Sequence, residues 1–341
     1  MTAHRAAIVF IAACLAIAGS AWLSSRRHLD RSIVSGELVL PALKAEINSV
    51  TEVRLTKAGD LRTTLHGTRD GWTVLERDYP ADSSKVRKLL LDLAALEVVE
   101  EKTSNPGNYP AIGVQDLSAP HATATRIDIV SGAKTESILA GKASGAKSGF
   151  VRMPGVARSL LATPRPATDA EPVQWLDRTL MTVPERRIKQ AGFSGPGGSY
   201  SIVREKPEQT NFTVTGVPKN RKLAGESAGN ASASGLDTLT LDDVRKPVAT
   251  PANAAHASFT TFDGLTVDAT GHAEGERRFV TFAAKSSTKD QEHEADTLLR
   301  RFAGREFEIP GYRYDGIFKP LEDLLEKPPE PKAKASASAH Q

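Results

Sequence analysis

Residues 79–99 read YPADSSKVRKLLLDLAALEVV, and this stretch decides the fold. Val86, Leu89, Leu90, Leu93 and Leu96 recur at spacings of three and four, which places them on one face of a helix. Asp82 or Ser83 can cap its start by accepting hydrogen bonds from first-turn N–H groups. Val98-Val99 then turns to β-branched residues and reads as a strand. Upstream, Val53-Arg54-Leu55, Leu61 to Leu65 and Trp72-Thr73-Val74 are short β-like runs. Gly59-Asp60 and Asp70-Gly71 separate them, and such pairs accept the positive φ of tight hairpins. Hairpins packed on a separate helix make an α+β unit.

The unit recurs. Ser201-Ile202-Val203 is strand-like, Phe212-Thr213-Val214 echoes Trp72-Thr73-Val74, and Val217-Pro218 echoes Tyr79-Pro80. Leu236, Leu239 and Leu241 repeat the spacing of Leu93, Leu96 and Val98. Ser227 to Gly235 is small and polar, so the second helix is expected to start late or to be broken by a loop. Each unit continues into hairpins: Thr125 to Val130 with Glu136 to Leu139, and Ser258 to Thr261 with Phe279 to Phe282. A helix is expected around Asp290 to Phe302, burying Leu298, Leu299 and Phe302. Leu321 to Leu325 is the last compact element.

Ahead of the first unit lies an uncharged apolar run, Ala6 to Leu23. As a helix it spans roughly 27 Å, close to the thickness of a bilayer core. Three readings apply: a retained helix, a signal cleaved after Ala18-Gly19-Ser20, and a lipoprotein signal at Ile11-Ala12-Ala13-Cys14. The run stays apolar past Cys14 and ends near Trp22, an interfacial residue type, which favours the retained helix. Long domains translocate largely regardless of flanking charge. The expected organisation is a cytoplasmic tail at 1–5, a transmembrane anchor at 6–24, a linker at 25–49, repeats at 50–164 and 187–326 about a hinge at 165–186, and a disordered Pro/Ala/Ser/Lys tail at 327–341. The soluble body is expected to lie on the outer side of the membrane.

The block from Tyr79 to Val114, with Val98-Val99-Glu100-Glu101-Lys102 and Asn105-Pro106-Gly107-Asn108-Tyr109, resembles the bacterial family catalogued as domain of unknown function 4340. Gly141-Lys142, Phe150-Val151-Arg152, Trp175-Leu176-Asp177 and Thr261-Phe262-Asp263-Gly264-Leu265 also fit its pattern. The resemblance implies a membrane-anchored envelope protein with no established activity. It also implies an association with ABC-type transport components of the kind linked to gliding motility. No catalytic or ligand residues come with it. The Ala/Ser/Gly insertion after Lys222 departs from the family's more compact second copy.

Composition narrows the chemistry. Cys14 is the single cysteine and lies in the apolar run, so the soluble part has no disulfide, thiol nucleophile or cysteine metal site. A net charge of +3, from 44 basic and 41 acidic residues, does not point to nucleic acid. Aromatics at 6% are sparse for stacking on sugars or bases. No cofactor or metal is expected. His272-Ala273-Glu274-Gly275-Glu276 reads as a solvated hairpin turn rather than a metal site. Glu292-His293-Glu294 are helix neighbours that do not face one point. Gly195-Pro196-Gly197-Gly198 precedes a strand, unlike a phosphate loop. Asp82, Asp116, Asp177 and Asp263 read as caps, turns or unplaced carboxylates.

Two loops stand out as partner-binding candidates: Asn105, Pro106, Asn108 and Tyr109 in the first unit, and Asp263 with Gly264 in the second. The leading expectation is a non-enzymatic accessory subunit that binds another membrane or envelope protein. A binding module for a cell-wall or polysaccharide fragment, using a groove between the copies, comes second, and a hydrolase third.

Overall fold

The computed structural model describes residues 35–327. They form two compact units, one of residues up to Trp72 plus Ser83–Glu171, the other of Thr73–Asp82 plus the chain from Pro172 onward. Both are mixed α/β bodies, and their sheet ladders are antiparallel.

The first unit contains β1 (Val50–Thr56), β2 (Arg62–Thr68) and the start of β3 (Gly71–Val74). The rest of β3 and β4 (Tyr79–Pro80) belong to the second unit. Helix α1 (Ser83–Ala94) follows, then β5 (Glu97–Glu101), β6 (Thr125–Ser131), β7 (Lys134–Ser144), β8 (Ser148–Arg152) and β9 (Ser159–Thr163). The second unit adds β10 (Thr179–Met181), β11 (Ile188–Gly195), β12 (Gly198–Val203), β13 (Thr213–Thr215), β14 (Leu239–Thr240) and β15 (Asp243–Arg245). It continues through β16 (Ala255–Thr261), β17 (Leu265–Glu274), β18 (Arg277–Ser286), helix α2 (Glu292–Phe302) and β19 (Glu306–Ile309).

The strand orders coincide. In the first unit the strands run β2-β1-β6-β7-β8-β9-β5; in the second, β12-β11-β16-β17-β18-β19-β15. Irregularities repeat as well. A one-turn 3-10 helix, Ile47–Ser49 or Glu185–Arg187, leads into each first strand. The register then shifts at the same place, between Val50 and Glu52 and between Ile188 and Gln190. Val98 and Leu241, matched by spacing in the sequence, both donate their N–H to an upstream segment, at the carbonyls of Glu37 and Arg178. Two similar sheets, sharing even their bulges, fit an internal repeat.

Helix α1 buries Val86, Leu89, Leu90 and Leu93, as the spacing requires. Each such side chain contributes about 1.5–3 kcal/mol when fully buried. The second slot holds only a four-residue helix, Asn230–Ala233, because Gly and Ser weaken helix propagation. In the second core, Phe282, Phe302 and Phe307 pack at centroid distances of 5.3–6.1 Å.

Two expectations change. Ser258–Thr261 does not pair with Phe279–Phe282, because β17 lies between β16 and β18. Its burial alternates, with Leu265, Val267, Ala269 and Gly271 inward. Leu299 is 46% exposed, while Ala295 takes its place on the buried face of α2. Residues 73–82 group with the second unit, as does the chain from Pro172 onward. Trp175 and Leu176, both buried there, give that stretch a core position. Among the described residues no helix is long and apolar enough to cross a membrane. The expected anchor at 6–24 and the tail beyond Lys327 lie outside those residues.

Candidate functional site

The first candidate loop is sewn into its own unit. Asn105 Oδ1 accepts from Gly107 N–H at 3.0 Å, and Asn108 Nδ2 donates to Thr103 Oγ1 at 3.2 Å. Pro106 sits in the first turn of the same short 3-10 helix. Tyr109 points inward, its hydroxyl donating to the Ala157 carbonyl and its ring lying 4.7 Å under the Arg152 guanidinium. Arg152 is buried and also donates to the carbonyls of Val114 and Val156, at 2.9 and 3.0 Å. Lys142 Nζ donates to the Ala111 carbonyl at 3.0 Å. At Gly141 a Cβ would come within 2.4 Å of the Ile112 carbonyl oxygen, so only glycine fits. Tyr109, Ile112 to Val114, Gly141-Lys142 and Arg152, dispersed in sequence, therefore form one structural node. Asn105, Pro106 and Asn108 remain exposed on it.

Asp263 and Gly264 form the turn between β16 and β17, with Gly264 at φ 98°. Asp263 accepts from Thr261 Oγ1 and from Arg187 Nε, the latter at 3.0 Å. Arg187 reaches on to Glu294 on α2, at 2.8 and 3.0 Å. The turn is thus clamped to a helix. The two candidate loops lie in different units.

A cleft of about 650 Å³ in the second unit is walled by charge. Arg77 grips Asp243 through two bonds, at 2.7 and 3.1 Å. Arg245 grips Glu274, at 2.5 and 3.0 Å, and donates to Glu306 at 2.7 Å. Its guanidinium lies 3.5 Å from the Phe279 ring centroid. Arg277 pairs with Glu308. His272 belongs to β17 rather than a solvated turn: it is buried, with ring nitrogens 3.3 Å from Glu274 and 3.6 Å from Glu306. Among the described residues no group of His, Cys, Asp and Glu is placed to hold a metal ion. The paired arginines answer carboxylates already present, so the cleft is a cross-linked wall rather than an open anion trap.

The hydrogen bonds from Arg245 hold Glu274 down at about 2, and His272 adds to the effect. A depressed carboxylate stabilises the fold above its ordinary 4.5, and that contribution fades as pH falls toward 2. The melting-temperature gap between wild type and Glu274→Gln, open at neutral pH, is therefore expected to close between about pH 4.5 and 2. Thermal melts across that range read it directly, and a constant gap contradicts it.

Beside the cleft, a pocket of about 320 Å³ is lined by Tyr200, His256, His272, Tyr314 and Phe318. The Tyr314 and Phe318 rings lie 4.6 Å apart.

The first unit carries the surface that the sequence did not announce. A groove of about 890 Å³ runs between α1 and the β2–β3 turn. Trp72 is half-buried in it, Leu90 forms part of its floor, and Leu91 stands 54% exposed at its edge. Arg69, Arg87 and Asp70 line it, all exposed. Among the described residues neither arginine has a partner. The available signal was Leu91, an apolar residue off the stripe of α1.

A duplicated α/β body with matching antiparallel sheets is the class this fold defines. Residues 72–260, more than half of the chain, match the family described as Domain of unknown function (DUF4340). The chain belongs to that family. No curated protein and no solved structure matches it.

Proposed function

We propose that this protein is a non-enzymatic adaptor held at the bacterial inner membrane by the apolar segment at 6–24, with its body in the periplasm. Its first repeat docks another envelope protein, such as an ABC-type transport component. The groove of Trp72, Leu91, Arg69 and Arg87 carries the reading. Trp and Arg are the residue types most enriched at binding hot spots. Exposed apolar surface beside a concave wall marks interaction sites.

Leu91→Asp tests it. Leu91 is exposed, so the fold should tolerate the change. Detergent pull-down with quantitative mass spectrometry is expected to recover membrane partners with the wild-type chain and at least tenfold less with Leu91→Asp. Val156→Asp, at another exposed apolar position, is the control. Recovery of no partner, or equal recovery with both variants, overturns the reading.

The Tyr314–Phe318 pocket supports a second reading, a binding module for a cell-wall or polysaccharide fragment. Its size and aromatic lining suit a small ligand. A thermal-shift screen with envelope glycans checks it, because a ligand of the folded state raises the melting point.

A further inference from the structure

The two repeats solve the same surface problem differently. In the second, Phe212 occupies the place of Trp72, just ahead of β13. Phe212 is buried, and the chain itself provides the cover. Gly229 lies so close that a Cβ there would sit 3.0 Å from Val214, 3.3 Å from Ile202 and 3.3 Å from Phe212. The next residue fastens the cover. Asn230 Oδ1 accepts from the Phe212 N–H at 3.1 Å, and its Nδ2 donates to the Thr210 carbonyl at 3.3 Å and Asn211 Oδ1 at 3.0 Å. The Ala/Ser/Gly insertion is thus a lid of small residues with one polar pin.

The first repeat has no such insertion. Helix α1 fills the topological slot, and Trp72 is left half-buried in an open groove. The charge there also differs. Arg69 and Arg87, unpartnered among the described residues, face a groove whose lining holds one carboxylate, Asp70.

We infer that the groove of the first repeat receives, from the docked partner, a turn of glycine, alanine and serine that carries a carboxylate. It packs against Trp72 beside α1, as Gly229 packs against Phe212 in the second repeat. Small residues let the partner backbone approach the Trp72 face closely, and the carboxylate meets a bidentate donor on Arg69 or Arg87. This rests on the groove being a docking surface and adds what docks there.

The probe is a fluorescein-labelled peptide with the sequence of Lys222 to Gly235 carrying Asn230→Asp. Its counterpart carries Glu226→Lys and Asn230→Lys. Fluorescence anisotropy against the detergent-solubilised full chain is expected to show at least tenfold tighter binding of the acidic peptide. The difference should collapse in the Arg69→Ala/Arg87→Ala double variant, and Leu91→Asp should weaken the acidic peptide at least tenfold. All three positions are exposed, and circular dichroism verifies the fold of each variant. Equal affinity of the two peptides, or binding unchanged by the groove variants, overturns the inference. If Leu91→Asp still abolishes partner recovery in that event, the adaptor reading stands and only the partner chemistry falls. If partner recovery is unaffected as well, both fall.

Discussion

Arg204→Met is expected to destabilise the second unit by about 3–5 kcal/mol, measured as a lowered denaturation midpoint at unchanged slope. Arg204 is 4% exposed and has no carboxylate among its hydrogen-bond partners. Instead its terminal nitrogens donate to the carbonyls of Glu185, Arg186 and Ile188, at 2.9 to 3.0 Å, and of Gln209 at 3.3 Å. The guanidinium also lies 4.5 Å from the Phe212 centroid and 5.7 Å from that of Phe262. Methionine matches much of the volume, so packing alone predicts a loss below about 1.5 kcal/mol. The carbonyls decide the outcome, because each buried acceptor left unmade costs about 1–3 kcal/mol. Arg204→Lys keeps the charge but loses the planar fork, so it should fall between the two. A loss under 1 kcal/mol in Arg204→Met would show that water takes over the carbonyls.

Tyr79→Ala should cost about 3–5 kcal/mol, whereas Tyr79→Phe should stay within about 1 kcal/mol of wild type. Tyr79 is fully buried, edge-on to Phe307 at 5.9 Å, and its hydroxyl lies near Arg301 without a hydrogen bond of good geometry. Alanine removes the ring and leaves a cavity; phenylalanine removes only an unpartnered polar atom. Burial pushes the phenol up to about 12, against the opposing pull of Arg301. A group held above its ordinary 10 contributes fully below that pH, and the contribution drains away as pH climbs to 12. Alkaline melts should show a steeper decline in wild type than in Tyr79→Phe, in which the buried Tyr200, also pushed up to about 12, still contributes. Identical alkaline profiles would place the phenol in contact with water.

The stretch from Tyr79 to Val99 was legible because helix and strand write different periods into sequence. The repeat was legible for the same reason, since Trp72 and Phe212, or Val98 and Leu241, keep equivalent places. Three things were not. Tyr79 and Trp175 lie far apart in the chain, yet Asp82 N–H donates to the Trp175 carbonyl and Asp177 N–H to that of Pro80; periodicity is local and carries no pairing information. Arg152 and Arg204 are buried without a sequence signal, because arginine is rarely buried unless paired. Of the candidate sites, Asp263-Gly264 was recognisable as a turn, but its clamp through Arg187 to Glu294 was not. The Trp72 groove depends on what fails to cover it, and an absent lid leaves no mark in a single sequence.

The hairpin Thr73–Asp82 changes what counts as a separable piece of this protein. A fragment starting at Pro172 lacks the ring that fills the space against Phe307 and the guanidinium that holds Asp243. A fragment meant to hold the second unit must therefore carry residues 73–82 as well as the chain from Pro172.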